Sequence, residues 1–322
     1  MQNYKSAIGG YLGLELQHDR SLYHDGCLAL NTGRNSLEYL LENLNVTKII
    51  IPFFSCDVIL EPIQKLGIQY SFYHIDANFE PIIHKVEEKT AILYINYFGL
   101  CDSHIEKLIE RYEFIIVDNS QAFFSNPLPS VHTFYSPRKF FGVPDGGFVT
   151  KVDVGKIVNY PIDSSVDRFA HLLLRAEENT EDGYPHYLKN ELSLRNQEIK
   201  QMSPLTDALL RNVDFDYVKS RRKTNFLMLH DLCKSLNELN DFIESVRFDA
   251  PLVYPLLLKN GKELRASLIK QRIYTPQYWL NVLSWVSSND WEFYLTENLV
   301  CLPIDQNVTV TDIERVASYI TK

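Results

Sequence analysis

Cysteine is scarce in this sequence and shows no ordered spacing. The five residues among 322 (Cys27, Cys56, Cys101, Cys233 and Cys301) are odd in number, and none forms a CxxC pair. That argues against a disulfide framework or a zinc-type cluster and predicts a reducing, cytoplasmic setting. Cations are in deficit: 32 Lys and Arg against 41 Asp and Glu leave a net charge of −9. A nucleic-acid partner is disfavoured, because phosphate backbones are held by clustered Lys and Arg. No apolar run approaches a membrane span, and the opening MQNYKSAIGGYLGLEL lacks the basic-then-apolar order of a signal peptide. The expectation is a soluble intracellular protein without a membrane partner. The nine histidines include no HxxxH pair and no carboxylate cluster at metal spacing, so no metal is expected. GxxxxGK[ST], GxGxxG and GxSxG are missing, which disfavours nucleotide-triphosphate, dinucleotide and hydrolase-elbow sites. Internal repeats and low-complexity tracts are absent too.

What is present is the pattern of an α/β protein. With 45% hydrophobic and 23% charged residues the chain is globular, and its length suits two domains. KIIIPFF (48–54), IQYSFYHI (68–75), AILYINYF (91–98), FIIVDNS (114–120), VHTFYS (131–136) and GFVTKV (147–152) read as strands. Between them, SLEYLLENL (36–44) and SHIEKLIERY (103–112) have helical spacing, the second with Ser103 as cap and Ile105, Leu108 and Ile109 inward. CDVILEPIQKLG (56–67) reads as a helix kinked or restarted at Pro62 and stopped at Gly67. Strands alternating with crossover helices predict a mostly parallel sheet covered on both faces. From Asp163 to Cys233 the pattern turns helical, and MSPLTDALLRNVDFDYVKSRRKTNFLMLHDLCKSL bridges to a smaller region. There APLVYPLLLKN and ENLVCLPID read as strands, GKELRASLIKQRI as a helix, and TVTDIERVASYI as a terminal helix capped by Thr309 or Thr311.

Three segments carry candidate chemistry. In FYSPRKFFGVPDGG, Lys139 follows a strand end and precedes Gly146 and Gly147, which allow close backbone approach to a ligand. Arg138 beside it favours deprotonation of the lysine amine. In EFIIVDNSQAFF, Asp118 ends an apolar run, where a parallel strand releases its chain into the crevice at the carboxyl edge of the sheet. A lysine that can form a Schiff base and an acid that keeps a pyridine nitrogen protonated are the two groups a pyridoxal 5′-phosphate enzyme needs. Each has a plainer reading, a loop lysine and a turn-forming aspartate. LALNTGRNSLEYL (28–40) has the layout of an anion site at a helix N-terminus, with amides near Gly33 and Arg34, or of an ordinary helix capped by Asn35 or Ser36.

Together and in this order, the segments resemble the DegT/DnrJ/StrS family of pyridoxal-phosphate-dependent aminotransferases, over most of the chain. LNTGRNSL is similar to its L-N-S-G-T-A-A-L loop, INYFGLCDSHIEKL to its V-H-x-Y-G-x-x-x-D-x-x-x-I segment, VDNSQAFF to its D-x-x-Q motif and FYSPRKFFGVPDGG to its F-S-F-Y-P-T-K-N-L-G-x-x-G-D-G-G segment. The resemblance implies a fold type I transferase, with a large domain (1–205) around a mostly parallel sheet and a smaller C-terminal α+β domain (206–322) entered through a long helix. It implies Lys139 as the Schiff-base lysine, Asp118 as partner of the pyridinium, Gln121 beside the phenolic oxygen, and Gly33, Arg34 and Asn96 among the cofactor contacts. It implies an amino-acid donor, L-glutamate, a nucleotide-linked keto-sugar acceptor and a homodimer with shared sites. Three positions depart from the family pattern. Phe134 stands where a phosphate-binding serine is usual, which leaves Ser136 to supply the hydroxyl. Cys56 replaces the aromatic that stacks on the cofactor ring, with Phe54 as the substitute. Ile199-Lys200-Gln201 replaces an Asn-x-Arg given to the partner's site, which makes 184–202 the candidate arm and Lys200 its contact. A dehydratase of the same fold, or a silent regulatory relative, is the alternative; dehydrating members carry histidine where this chain has Lys139.

Overall fold

The computed structural model describes residues 8–17, 19–152, 159–178 and 180–320. Eight strands form one sheet: β1 (Leu28–Leu30), β2 (Lys48–Pro52), β3 (Gln69–Ile75), β4 (Pro81–Ile82), β5 (Thr90–Ile95), β6 (Ile115–Asp118), β7 (His132–Tyr135) and β8 (Gly147–Val149). Their spatial order is β1-β8-β7-β6-β5-β2-β3-β4. The five central strands, β7, β6, β5, β2 and β3, run parallel, while β8, β1 and β4 join antiparallel at the edges. A second sheet pairs β9 (Val253–Leu257) antiparallel with β10 (Leu299–Pro303).

The period-two alternation of each central strand divides its side chains between two cores. On β5, Ile92 and Tyr94 enter one cluster, which reaches into the C-terminal half, while Ala91 and Leu93 enter a second beneath the sheet. On β6, Ile115 and Val117 join the first and Ile116 the second. The helix Gly33–Asn43 covers the lower face with Leu37, Leu40 and Leu41. Burial of all six β5 residues explains why this run reads as continuous apolar sequence.

Several boundaries differ from the sequence expectation for local reasons. The helix expected over 36–44 begins earlier, because Thr32 rather than Asn35 or Ser36 is its cap and accepts from the Asn35 amide at 3.0 Å. The next crossover helix, Asp102–Arg111, starts without a side-chain cap from Ser103, and Ile109 is 38% exposed while Ile105 and Leu108 are buried. The run at Pro62 divides into a 3₁₀ turn (Asp57–Ile59) and a short helix (Leu60–Lys65), ended by Gly67 at φ +66°. The long bridge also divides, into Pro204–Arg211 and Phe215–Cys233, since the Asp214 carboxylate accepts from the Tyr217 amide at 2.9 Å and opens a new helix. Thr309 caps the terminal helix Val310–Ile320, accepting from the Asp312 amide at 3.2 Å. Among the described residues, no helix is long and apolar enough to cross a membrane.

The helix Phe215–Cys233 buries Val218, Phe226, Leu229 and Cys233 at spacings of three, four and eight against the second sheet and the first core. Arg222 on the same face is 1% exposed. It donates to the Leu252 carbonyl at 3.0 Å, and its guanidinium lies over the Phe140 ring at 4.6 Å. This buried cation ties the helix to the segment that follows Lys139.

Candidate active site

The carboxyl ends of β7, β6 and β5 open into one cavity of about 200 Å³. Asp118 closes β6, Ser136 follows β7, and Lys139 ends the 3₁₀ turn Pro137–Lys139. The N-terminal end of the helix Gly33–Asn43 faces them with Thr32, Gly33 and Arg34. Of the residues singled out in the sequence, Gly33, Arg34, Asp118, Gln121, Ser136 and Lys139 therefore share one cavity. A roomier cleft of about 560 Å³, lined by Leu44, Glu87, Arg111 and Phe114, lies at the other end of the strands, away from this lysine and aspartate.

The cavity lining combines charged groups with apolar side chains. Burial pushes the Asp118 carboxyl above its usual range, while the nearby Lys139 charge and the Ser120 hydrogen bonds pull it back. One of these bonds is the Ser120 amide donating to Asp118 Oδ1 at 2.7 Å. Gln121 is 1% exposed. Its Oε1 accepts from the Phe98 amide at 2.8 Å, while Nε2 finds no partner among the described residues. A buried donor left in this state has a hydrogen bond to offer a ligand. At the helix end, a side chain on Gly33 would lie 3.4 Å from Ser136 Cβ and 3.6 Å from Ser120 Oγ. Glycine keeps that corner open, with two hydroxyl-bearing residues beside the first helical amides.

Two guanidiniums line the same end, each paired with an acid. Arg34 meets Glu61 at 3.1 Å, and Arg138 meets Glu191 from the helix Thr180–Ser193. Burial lowers the Arg138 pKa to about 10, with the Arg34 charge adding to the effect. Arg138 thus has its own counter-ion.

Three expected contacts take other places in the structure. Phe54, expected against the cofactor ring, is fully buried in the aromatic core with Tyr97, Phe79 and Trp279 and lies outside the cavity lining. Asn96, expected among the cofactor contacts, is also fully buried and outside the lining. Its amide donates to Asp102 Oδ1 at 2.7 Å and to Asn119 Oδ1 at 3.1 Å, and its oxygen accepts from the Cys101 amide at 2.9 Å. Asn96 is thereby committed to holding the β5 turn. The paired glycines admit protein backbone rather than a ligand: a Cβ on Gly147 would lie 2.4 Å from the Thr32 carbonyl oxygen, and the Gly146 amide donates to the Asn31 carbonyl at 2.6 Å.

Residues 184–202 also take a definite place. The helix Thr180–Ser193 brings Glu191 into the cavity of its own chain. The chain then returns along β1, where the Asn31 amide donates to the Lys200 carbonyl at 2.9 Å and the Met202 amide to the Ala29 carbonyl at 3.2 Å. Lys200 Nζ pairs with Asp163 at 3.2 Å.

No protein-family model matches this chain, and no curated protein matches its sequence. Solved structures do match. DesV of S. venezuelae, in complex with a ketimine intermediate, superposes with a TM-score of 0.65 at 15% identity, covering 91% of this chain and 83% of that one. A DegT DnrJ EryC1 StrS aminotransferase from Brucella abortus gives 0.63 at 14%, over 96% and 86%. The Streptococcus pneumoniae protein Spr1654 in its PLP form gives 0.64 at 17%, over 92% and 86%. The chain has the aminotransferase fold.

Within this aminotransferase fold, sequence reasoning missed Ser120, Glu191, Tyr278 and Trp279 as cavity residues. Ser120 lay inside the quoted VDNSQ and was legible there. Glu191 lies in the 184–202 stretch expected to reach a partner's site, whereas Tyr278 and Trp279 come from a segment without a motif, and only the tertiary fold brings them in. Cys56, set aside as an unsupported nucleophile, lines the cavity as well, with its thiol pKa raised by burial.

The approach of Gly147 to Thr32 yields a first prediction. Gly147→Ala forces β8 away from the helix end, because the obstructing atom is backbone. The expected loss is about 1–3 kcal/mol or more, read as a fall in the denaturant midpoint. Wild-type stability in this variant would contradict the contact.

Proposed function

We propose that this chain is a pyridoxal-phosphate-dependent aminotransferase that takes an amino group from an amino-acid donor, L-glutamate by resemblance, and passes it to a nucleotide-linked keto-sugar. The observation that carries this reading is the meeting of Lys139 and Asp118, from two different strand ends, in one cavity beside a helix N-terminus. The cofactor, when bound, supplies an electron sink that stabilises a carbanion next to nitrogen.

The residues fit that group. Asp118, buried and acceptor-bearing, suits a protonated ring nitrogen, and the spare Gln121 Nε2 hydrogen suits the phenolic oxygen. The amides of Gly33 and Arg34, with Ser120 and Ser136, suit the phosphate. Lys139 would hold the cofactor through its amine. Once released, the same Nζ takes a proton from the substrate carbon as general base and returns one as general acid. The apolar residues Ile59, Ile95 and Trp279 line the rest of the cavity and keep water from it.

A homodimer belongs to the same reading. Leu173, Tyr184, Leu188 and Leu192, on the helices next to the cavity, leave 43–62% of their surface exposed, as an apolar face awaiting a partner does.

Three outcomes test the proposal. The purified protein loaded with pyridoxal phosphate is expected to be yellow. Borohydride reduction and peptide mapping should then place the label on Lys139 and find none there in Lys139→Ala; a label on another lysine overturns the assignment. Asp118→Asn is expected to retain cofactor but to transaminate ten- to hundredfold more slowly, which corresponds to losing a charge-assisted hydrogen bond of about 1.5–3 kcal/mol. Wild-type turnover would remove Asp118 from the mechanism. Sedimentation is expected to show a dimer, and an active, cofactor-loaded monomer would reject the shared assembly.

A further inference from the structure

The apolar side chains that the large sheet and its crossovers present to the cavity are mostly aliphatic or small: Ile95, Leu37, Val58, Ile59 and Cys56. Phe134 is the one aromatic among them, and it packs downward with Leu30, Leu37 and Ile116 in the lower core. A planar heteroaromatic ligand gains most from a flat, polarisable wall. Such a wall comes from the other half of the chain. Tyr278 and Trp279 line the cavity with ring centroids 5.0 Å apart and planes inclined at 34°.

Their position is built, not incidental. The Trp279 ring meets Phe54 edge-on at 5.1 Å and 63°, and the Tyr278 ring lies over Phe98 at 6.4 Å and 26°. Asn281 Nδ2 donates to the Ser55 carbonyl at 2.9 Å, one residue before Cys56, and Gln277 Nε2 donates to the Thr296 carbonyl at 3.0 Å. Both flanks of the aromatic pair are therefore pinned, one of them to the turn that carries Cys56. The thiol at 56 leaves room beside Lys139, and the loop fixed at Ser55 brings two rings towards that room.

We propose that the Tyr278–Trp279 pair is the ring-binding wall for the cofactor, with Trp279 its principal face, a task that no aromatic of the large sheet is placed to perform. The inference rests on pyridoxal phosphate being held at Lys139. It makes cofactor retention depend on the C-terminal half of the chain. Phe54 then acts at one remove, as the buttress behind Trp279.

The test compares Trp279→Leu, which keeps an apolar filler without a ring, with Trp279→Phe, which keeps a ring. Each purified variant is loaded with pyridoxal phosphate. The readouts are the dissociation constant and the circular dichroism of the bound cofactor in the visible range, which reports a fixed ring orientation independently of turnover. Trp279→Leu is expected to weaken binding about two- to tenfold and to lose most of the induced signal, while borohydride still labels Lys139. Trp279→Phe is expected to stay within about twofold of wild type and to keep the signal. Leu and Phe variants that behave alike would overturn the inference while leaving Lys139 as cofactor lysine. A wild-type protein that takes no label at Lys139 would overturn the underlying reading, and the inference with it. Melting temperatures show whether each variant folds. Should Trp279→Leu fail to fold, the Tyr278→Leu and Tyr278→Phe pair makes the same comparison, and equal behaviour there again overturns the proposal.

Discussion

The approach of Gly147 to the carbonyl of Thr32 is the contact on which the site depends. It lets β8 lie against β1 and the start of the helix Gly33–Asn43 with no side chain between them. On one side of this contact is the helix end with Gly33 and Arg34. On the other is the β7–β8 connection with Ser136 and Lys139. Asp145, fully buried at the start of the glycine turn, accepts from the Ser203 amide at 3.1 Å and the Ser203 hydroxyl at 2.9 Å. It thereby ties the same turn to the helix Pro204–Arg211. An amide donor, a hydroxyl and a cation arrive at one corner because two backbones touch there.

The electrostatic plan follows from that geometry. The cavity brings the buried carboxylate Asp118 together with Arg34, Arg138 and the helix N-terminus, and Lys139 acts electrostatically on Asp118. A ligand with a cationic ring nitrogen at one end and a phosphate at the other matches this polarity. Glu61 and Glu191 balance the two arginines, so the cavity carries little uncompensated positive charge of its own.

Much of this was legible in the sequence, and the reasons differ by residue. The parallel strands declared themselves because β5 and β6 are buried on both faces and carry mostly apolar side chains up to Asn96 and Asp118 at their carboxyl ends. Polar residues at such exits mark the site by their position. The rule cannot say which exit residue faces the cavity and which holds a turn, and here Gln121 lines the cavity while Asn96 holds the β5 turn. Phe54 was expected at the ring only because Cys56 stands where the family carries its stacking aromatic, and the structure packs it instead against Tyr97, Phe79 and Trp279. Gly146 and Gly147 were read as room for a ligand, whereas the room they make is filled by Pro137 and Met202 beside Gly146 and by Thr32 beside Gly147. Tyr278 and Trp279 were out of reach because contacts far apart in the chain deliver them, and Glu191, within the stretch read as an arm to a partner, lines the cavity of its own chain.

The pinning of Asn281 to Ser55 joins residues 226 positions apart in the chain. A cavity whose lining flanks that contact cannot close until nearly the whole polypeptide has found its place, since loop-closure entropy sets such long-range pairings against early formation. Partly folded states therefore lack a complete rim. A ligand held by the finished cavity stabilises only the native state, and by mass action draws the chain towards it. A ligand of this cavity would therefore also be a ligand of folding.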